Sequence, residues 1–126
     1  MDLKLELVPI PVTDVDRAIE FYRDRCGFGL DHDVRASPEF RVAQLTPPGS
    51  ACSIAVGTGF LSTAPGSVQA LHLVVDDIKA ARKELVERGV DVADAQEMTA
   101  PGKPSVWYAA FTDPDGNGWT LQQMGS

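Results

Sequence analysis

Val12-Thr13-Asp14-Val15-Asp16-Arg17-Ala18-Ile19 decides how this chain is read, because it returns as Val75-Asp76-Asp77-Ile78-Lys79-Ala80-Ala81-Arg82. Each copy runs from an apolar strand end into an aspartate that can cap a helix. The two helix-start aspartates lie 77 − 14 = 63 residues apart. Val8, Ile10 and Val12 return as Leu71, Leu73 and Val75 at the same spacing. Farther on, Pro48-Gly49-Ser50 before Cys52-Ser53-Ile54 returns as Asp115-Gly116-Asn117 before Trp119-Thr120-Leu121, at a spacing of 116 − 49 = 67. A chain that repeats at half its length is built from two copies of one supersecondary unit.

The first copy opens with alternating, β-branched sequence from Leu3 to Val12, which predicts a strand. Pro9 and Pro11 have no N–H to donate, so this strand is expected where one side needs no ladder bonds. Val15, Ala18, Ile19 and Tyr22 then make one apolar helical stripe that Gly27 and Gly29 end. Strands are expected at 30–35, 40–46 and 51–57, with Pro47-Pro48-Gly49 turning the last pair. An uncharged stretch with Gly and Pro from Thr58 to Ser67 forms a linker. The second copy predicts a strand at 70–75, a helix capped by Asp77 and stopped near Gly89, and strands near 90–92, 105–112 and 118–123. Asp113-Pro114-Asp115-Gly116-Asn117-Gly118 is a dense turn signal. The order is βαβββ twice in one domain, residues 1–126, with module one at 3–57, the linker at 58–67 and module two at 68–124. Each half alone has only about 60 residues, which is marginal for independent folding.

A right-handed βαβ start puts the helix on one face of each sheet. Side chains alternate along a strand. Val8, Ile10 and Val12, with Leu71, Leu73 and Val75, are therefore expected under the helices. Leu5, Leu7 and Pro9, with Ala70, His72 and Val74, fall on the opposite, concave face. Two such sheets placed edge to edge make a curved mixed sheet with a central cup, a natural ligand site.

The charge is 11 − 18 = −7. Nucleic acid and anionic membranes need basic surface, so neither is an expected partner. The N-terminus lacks a basic start followed by an apolar run, and no apolar stretch approaches the about 20 residues that span a bilayer. A cytoplasmic location is the expectation. Cys26 and Cys52 have no CxxC spacing and read as reduced, packed thiols.

Three stretches carry a resemblance: Val12 through Ala18 with Phe21, Tyr22, Gly27 and Phe28; Val74 through Ile78 with Ala81, Leu85 and Gly89; and Phe111-Thr112-Asp113-Pro114-Asp115-Gly116-Asn117 before a strand. In these the chain is similar to the vicinal oxygen chelate superfamily, the glyoxalase and bleomycin-resistance type. The resemblance implies an α+β fold of two βαβββ modules and a homodimer. It also implies a divalent metal in the cup, held by histidines on the first strands and acidic donors on the last. Counting from the helix-start aspartates and the turn glycines places those positions at Leu7, Ala70, Ser53 and Thr120. Leu7 and Ala70 cannot coordinate, and neutral hydroxyls are poor ligands. No metal or other cofactor is expected.

The leading expectation is a metal-free binding protein for a small organic molecule, as in the bleomycin-resistance branch. The rival is a metal-independent isomerase, lyase or cyclase with His72 as acid/base, which leaves open whether the chain is an enzyme. A metal-dependent lyase or dioxygenase is a weaker third. Candidate ligand contacts are Leu7, Arg41, Ser53, Ala70, His72, Trp107, Thr120 and Gln122. His72 and Gln122 share the concave parity, and Gln122 can both donate to and accept from a carbonyl. Trp107 offers an aromatic wall. Arg41, which matches it in the repeat, offers a cation for a carboxylate or phenolate. The faces of Arg41 and Trp107 stay open, because the turn lengths of the two copies differ. Asp31-His32-Asp33 reads as exposed polar strand.

Overall fold

The repeat is realised twice in the computed structural model, which describes residues 1–125; only Ser126 of the expected 1–126 domain lies outside the described residues. Module one contains β1 (Leu7–Pro9), α1 (Val15–Ile19) continuing into a π-helical turn (Glu20–Arg25), β2 (Gly29–Ser37), β3 (Phe40–Thr46) and β4 (Ser53–Thr58). Module two contains β5 (Leu71–Val74), α2 (Ile78–Glu87), β6 (Gln96–Met98), β7 (Val106–Thr112) and β8 (Gly118–Met124). The sheet orders are β1-β4-β3-β2 and β5-β8-β7-β6. In each, the first and last strands pair in parallel and the other pairs are antiparallel. This is the expected α+β architecture of two βαβββ modules.

The helix starts obey the repeated aspartates. The Asp14 carboxylate accepts from Arg17 N–H at 3.1 Å, and the Asp77 carboxylate accepts from Ala80 N–H at 3.1 Å. A cap of this kind is worth about 1 kcal/mol. Two elements differ from expectation. β1 spans three residues rather than the whole of 3–12: Pro9 and Pro11 cannot donate to a ladder and end it, and residues 3–6 stay exposed outside the sheet. The sixth strand lies at Gln96–Met98, not at 90–92. Val90 and Val92, each 3% exposed, fill the core instead. Arg82 ties that segment to α2 by donating to the carbonyls of Val92 and Ala93 at 3.0 and 2.8 Å.

The core lies between the two modules. Ile10, Ala18, Tyr22, Leu45 and Val56 of module one join Ile78, Phe111, Trp119 and Leu121 of module two in one buried cluster. Tyr22 meets Trp119 edge to face at 5.6 Å, Phe28 meets Trp119 at 5.7 Å, and Phe21 meets Phe111 at 6.4 Å. A polar knot runs through these rings. Trp119 Nε1 donates to the Tyr22 hydroxyl at 3.0 Å, and that hydroxyl donates to Asp113 Oδ2 at 2.7 Å. Asn117 Nδ2 donates to Asp113 Oδ2 and to the Pro11 carbonyl, both at 2.8 Å. Asp113 Oδ1 accepts the backbone N–H groups of Asp115 and Asn117 at 2.9 Å each. The turn after β7 thus bolts module two to the helix of module one.

These contacts use the helix-side faces of both sheets. Within one chain the sheets are separate and do not meet edge to edge. Their concave faces look away from each other, so a single chain presents two half-cups rather than one. The helix-side faces are held together instead by the aromatic layer, whose large rings bury their surface between the modules.

Burial pushes the Cys26 thiol up to about 12. Burial, reinforced by the Asp113 charge, raises the Tyr22 phenol as well. Both groups are neutral in the fold, and the unfolded chain loses these protons first. Their contribution is therefore full below pH 9 and falls as pH rises from there towards 12. Urea unfolding at pH 8 and pH 10.5 should show a clear drop in midpoint at the higher pH. Native Cys26 should react with iodoacetamide at pH 8 at least about a hundredfold more slowly than in the unfolded chain. Equal rates in the two states would contradict this.

Candidate functional site

Module two offers the more open concave face. His72, Tyr108, Ala110, Thr120 and Gln122 share it, in register across β5, β8 and β7. Two adjoining hollows of about 450 and 420 Å3 lie over it and share Ala93, Ala110 and Thr120. Ala70 lines the first hollow, and His72, Tyr108 and Met98 line the second. Ala70 has φ 61°, a left-handed conformation that costs a non-glycine residue roughly 1 kcal/mol or more. Its carbonyl lies 2.7 Å from His72 Nδ1, and the imidazole meets the Tyr108 ring edge to face at 6.0 Å. A neutral ring that donates from Nδ1 keeps Nε2 as an acceptor. Gln122 lies opposite Tyr108, and its amide nitrogen approaches Met124 Sδ at 2.8 Å.

Module one carries a different set. Leu7 lies directly opposite Ser53 across β1 and β4. Ser53 is 4% exposed, and its hydroxyl sits 2.6 Å from that of Thr46. Thr46 in turn donates to Asp31 Oδ2, and Gln44 Nε2 donates to the same oxygen at 3.1 Å. Asp31 reaches this face because β2 bulges there: Leu30 pairs with Leu45, and His32 already pairs with Gln44. Strict alternation would put Asp31 and Asp33 on one side, but Asp33 turns to the helix side and binds Arg41.

The four positions the family uses for its metal do not suit one here. Leu7 and Ala70 have no donor atom. Ser53 is committed to Thr46. Thr120 lies opposite His72 rather than Ala70, so the nearest imidazole is displaced by two residues along β5. One imidazole displaced along its strand and two neutral hydroxyls are too poor a donor set for a divalent ion. Among the described residues, no group of three or more His, Cys, Asp or Glu is arranged to hold one.

Two candidates fall away from the cup. Arg41 lies on the helix side of β3, with its side chain 12% exposed. It donates to both Asp33 oxygens at 3.0 and 2.8 Å and pairs with Asp16 at 2.9 Å. Trp107 takes the matching face of β7, where the Lys79 ammonium lies 5.5 Å from its ring centroid. Both are correctly related by the repeat, and both pack sheet against helix. Replacing Arg41 by alanine should lower stability by about 1–2 kcal/mol, because the fork to Asp33 is bidentate and partly buried. It should leave ligand affinity unchanged, which titration of the variant would check.

A doubled βαβββ chain with such faces defines a class of scaffold. The family model described as the glyoxalase/bleomycin resistance protein/dioxygenase superfamily matches residues 4–121, and the chain belongs to that superfamily. TnmS3, an antibiotic binding protein from Streptomyces sp. CB03234, is 33% identical with a TM-score of 0.81, the match covering 98% of each chain. A glyoxalase/bleomycin resistance protein from the same organism is 34% identical, TM-score 0.77, over 95% of this chain and 100% of that one. A superfamily member from Sphaerobacter thermophilus DSM 20745 is 28% identical, TM-score 0.78, over 97% and 98%. No curated protein matches the chain. No helix among the described residues is long and apolar enough to cross a membrane.

Proposed function

We propose that this chain is a cytoplasmic small-molecule binding protein that works as a homodimer without a metal. Each cup joins the module-one face of one copy to the module-two face of the other. The observation that carries the reading is the outward turn of both concave faces. Leu5, Leu7, Val74, Met98 and Met124 are all exposed there, between 37% and 70%. Exposed apolar side chains gathered on each of these faces fit an interface or a ligand groove. β1 and β5 are edge strands with unpaired outer sides, and pairing them across a twofold axis would remove both edges. The antibiotic-binding relative supports a ligand-holding role for this chain.

Leu7, Ser53, Ala70, His72, Thr120 and Gln122 are proposed to line the closed cup. Apolar and aromatic walls with a few polar groups suit a flat organic ligand. The test is sedimentation equilibrium followed by titration of the dimer with 2-naphthylmethanol, a neutral aromatic probe. A dimer that binds one probe per cup, with less than a tenth of chains carrying metal, is the expected result. A monomer, or a dimer with no saturable binding, would sink the proposal.

One observation favours turnover as a second reading. The contact between His72 Nδ1 and the Ala70 carbonyl leaves Nε2 free to take a proton from a carbonyl substrate. His72→Ala should then abolish turnover with affinity mostly intact. In a pure binding protein the same variant changes affinity alone.

A further inference from the structure

We infer that the module-one face holds a preorganised carboxylate anchor, Asp31, which selects ligands bearing an ammonium or similar hydrogen-bond-donating group and rejects carboxylates. The inference rests on the binding role proposed above and names the chemistry that role selects.

The anchor is built from the inside out. The Thr46 proton is spent on Asp31 Oδ2, so the Thr46 oxygen is the acceptor in its contact with Ser53. The buried Ser53 hydroxyl therefore donates to Thr46 and fixes it. Gln44 Nε2 donates to the same Asp31 oxygen. Oδ1 takes no bond among the described residues and stands at an exposed position in β2. Hydrogen bonds from Thr46 first and Gln44 second hold this carboxyl below the usual carboxylate range, so it is charged at neutral pH. Fixing a charged acceptor before the ligand arrives removes the ordering cost from binding.

Among the described residues no lysine or arginine pairs with Asp31, and its one basic neighbour is the imidazole of His32, next in sequence. Asp33 and Arg41 use the helix side of the sheet, and Arg35 pairs in register with Arg41. The residues lining the module-two hollows include Asp91 and Asp94 but no lysine or arginine. A ligand carboxylate would meet only acceptors in such a cup, whereas an ammonium would meet a fixed one. The net charge of −7 adds to the same preference at long range.

The experiment compares two probes that share a ring, 2-naphthylmethylammonium and 2-naphthoate, by titration of the intact protein at low and moderate salt. The ammonium should bind at least about tenfold more tightly, and the ratio should shrink as salt rises. At moderate salt, where the long-range preference is screened, Asp31→Asn should lower the ratio at least about fivefold. Thr46→Val, which keeps the carboxylate but removes its support, should lower it about threefold, and both variants should melt near the parent temperature. If Asp31→Asn melts early, Thr46→Val and the salt series decide the matter. A carboxylate that binds as well as the ammonium, or a ratio untouched by both variants, overturns the anchor while leaving the binding role intact. If neither these probes nor neutral 2-naphthylmethanol binds, the binding role itself fails and takes the anchor with it.

Discussion

Asp113→Ala is expected to lower the unfolding free energy by about 3–5 kcal/mol, a fall in melting temperature of roughly 10 °C or more for a chain of this size. Asp113 is 4% exposed and accepts four hydrogen bonds. Its removal strands the Tyr22 hydroxyl and two backbone N–H groups away from water. Each unpaired buried group costs about 1–3 kcal/mol, more than the net worth of the bond it lost. Tyr22→Phe should cost less, about 1–2 kcal/mol, because it leaves only the Trp119 N–H and one Asp113 oxygen short of a partner. Thermal and urea melts of both variants check the order. An Asp113→Ala protein that melts within about 2 °C of the parent would show that the knot does not hold the modules together.

Val74→Glu is expected to convert the protein to monomers and abolish ligand binding while hardly changing the stability of the chain. Val74 is 70% exposed in the single chain, on the concave side of edge strand β5. A carboxylate there would have to be desolvated opposite the apolar residues of β1 from the other copy, which is unfavourable by several kcal/mol. Val86→Glu is the control: Val86 is also exposed, at 44%, but lies on α2 outside the concave faces. Sedimentation of the two variants should separate them cleanly. A Val74→Glu dimer that still binds would remove the support for the proposed assembly.

The parts of the fold that depend on neighbouring residues are legible in the sequence. Asp14 and Asp77 cap as their positions require, and the Asp113–Gly118 turn falls between β7 and β8. Strand parity separated Ile10 and Leu121 from Leu7 and Thr120, because alternation survives wherever the strand is regular. What escaped depends on irregularity or on distance. The β2 bulge hid Asp31, since no residue type around Leu30 announces it. Arg41 and Trp107 could not be given a face, because the two hairpin turns differ in length. Val90 and Val92 have strand-like sequence but spend it on the core. The Tyr22–Asp113 bond joins residues 91 positions apart, and nothing local predicts it. The packing of the two modules against each other rests on such long-range contacts, so the outward turn of the half-cups was beyond reach of pattern alone.

The back-to-back modules have a genetic consequence. In the proposed dimer every ligand chamber borrows one wall from each subunit. A subunit spoiled only in its first half and a subunit spoiled only in its second would each be inert as pure dimers. Co-expressed, they would assemble a hybrid with one chamber built wholly of damaged walls and one wholly of sound ones. Two null alleles in the same coding sequence would then rescue each other, up to about a quarter of parental capacity if subunits mix at random.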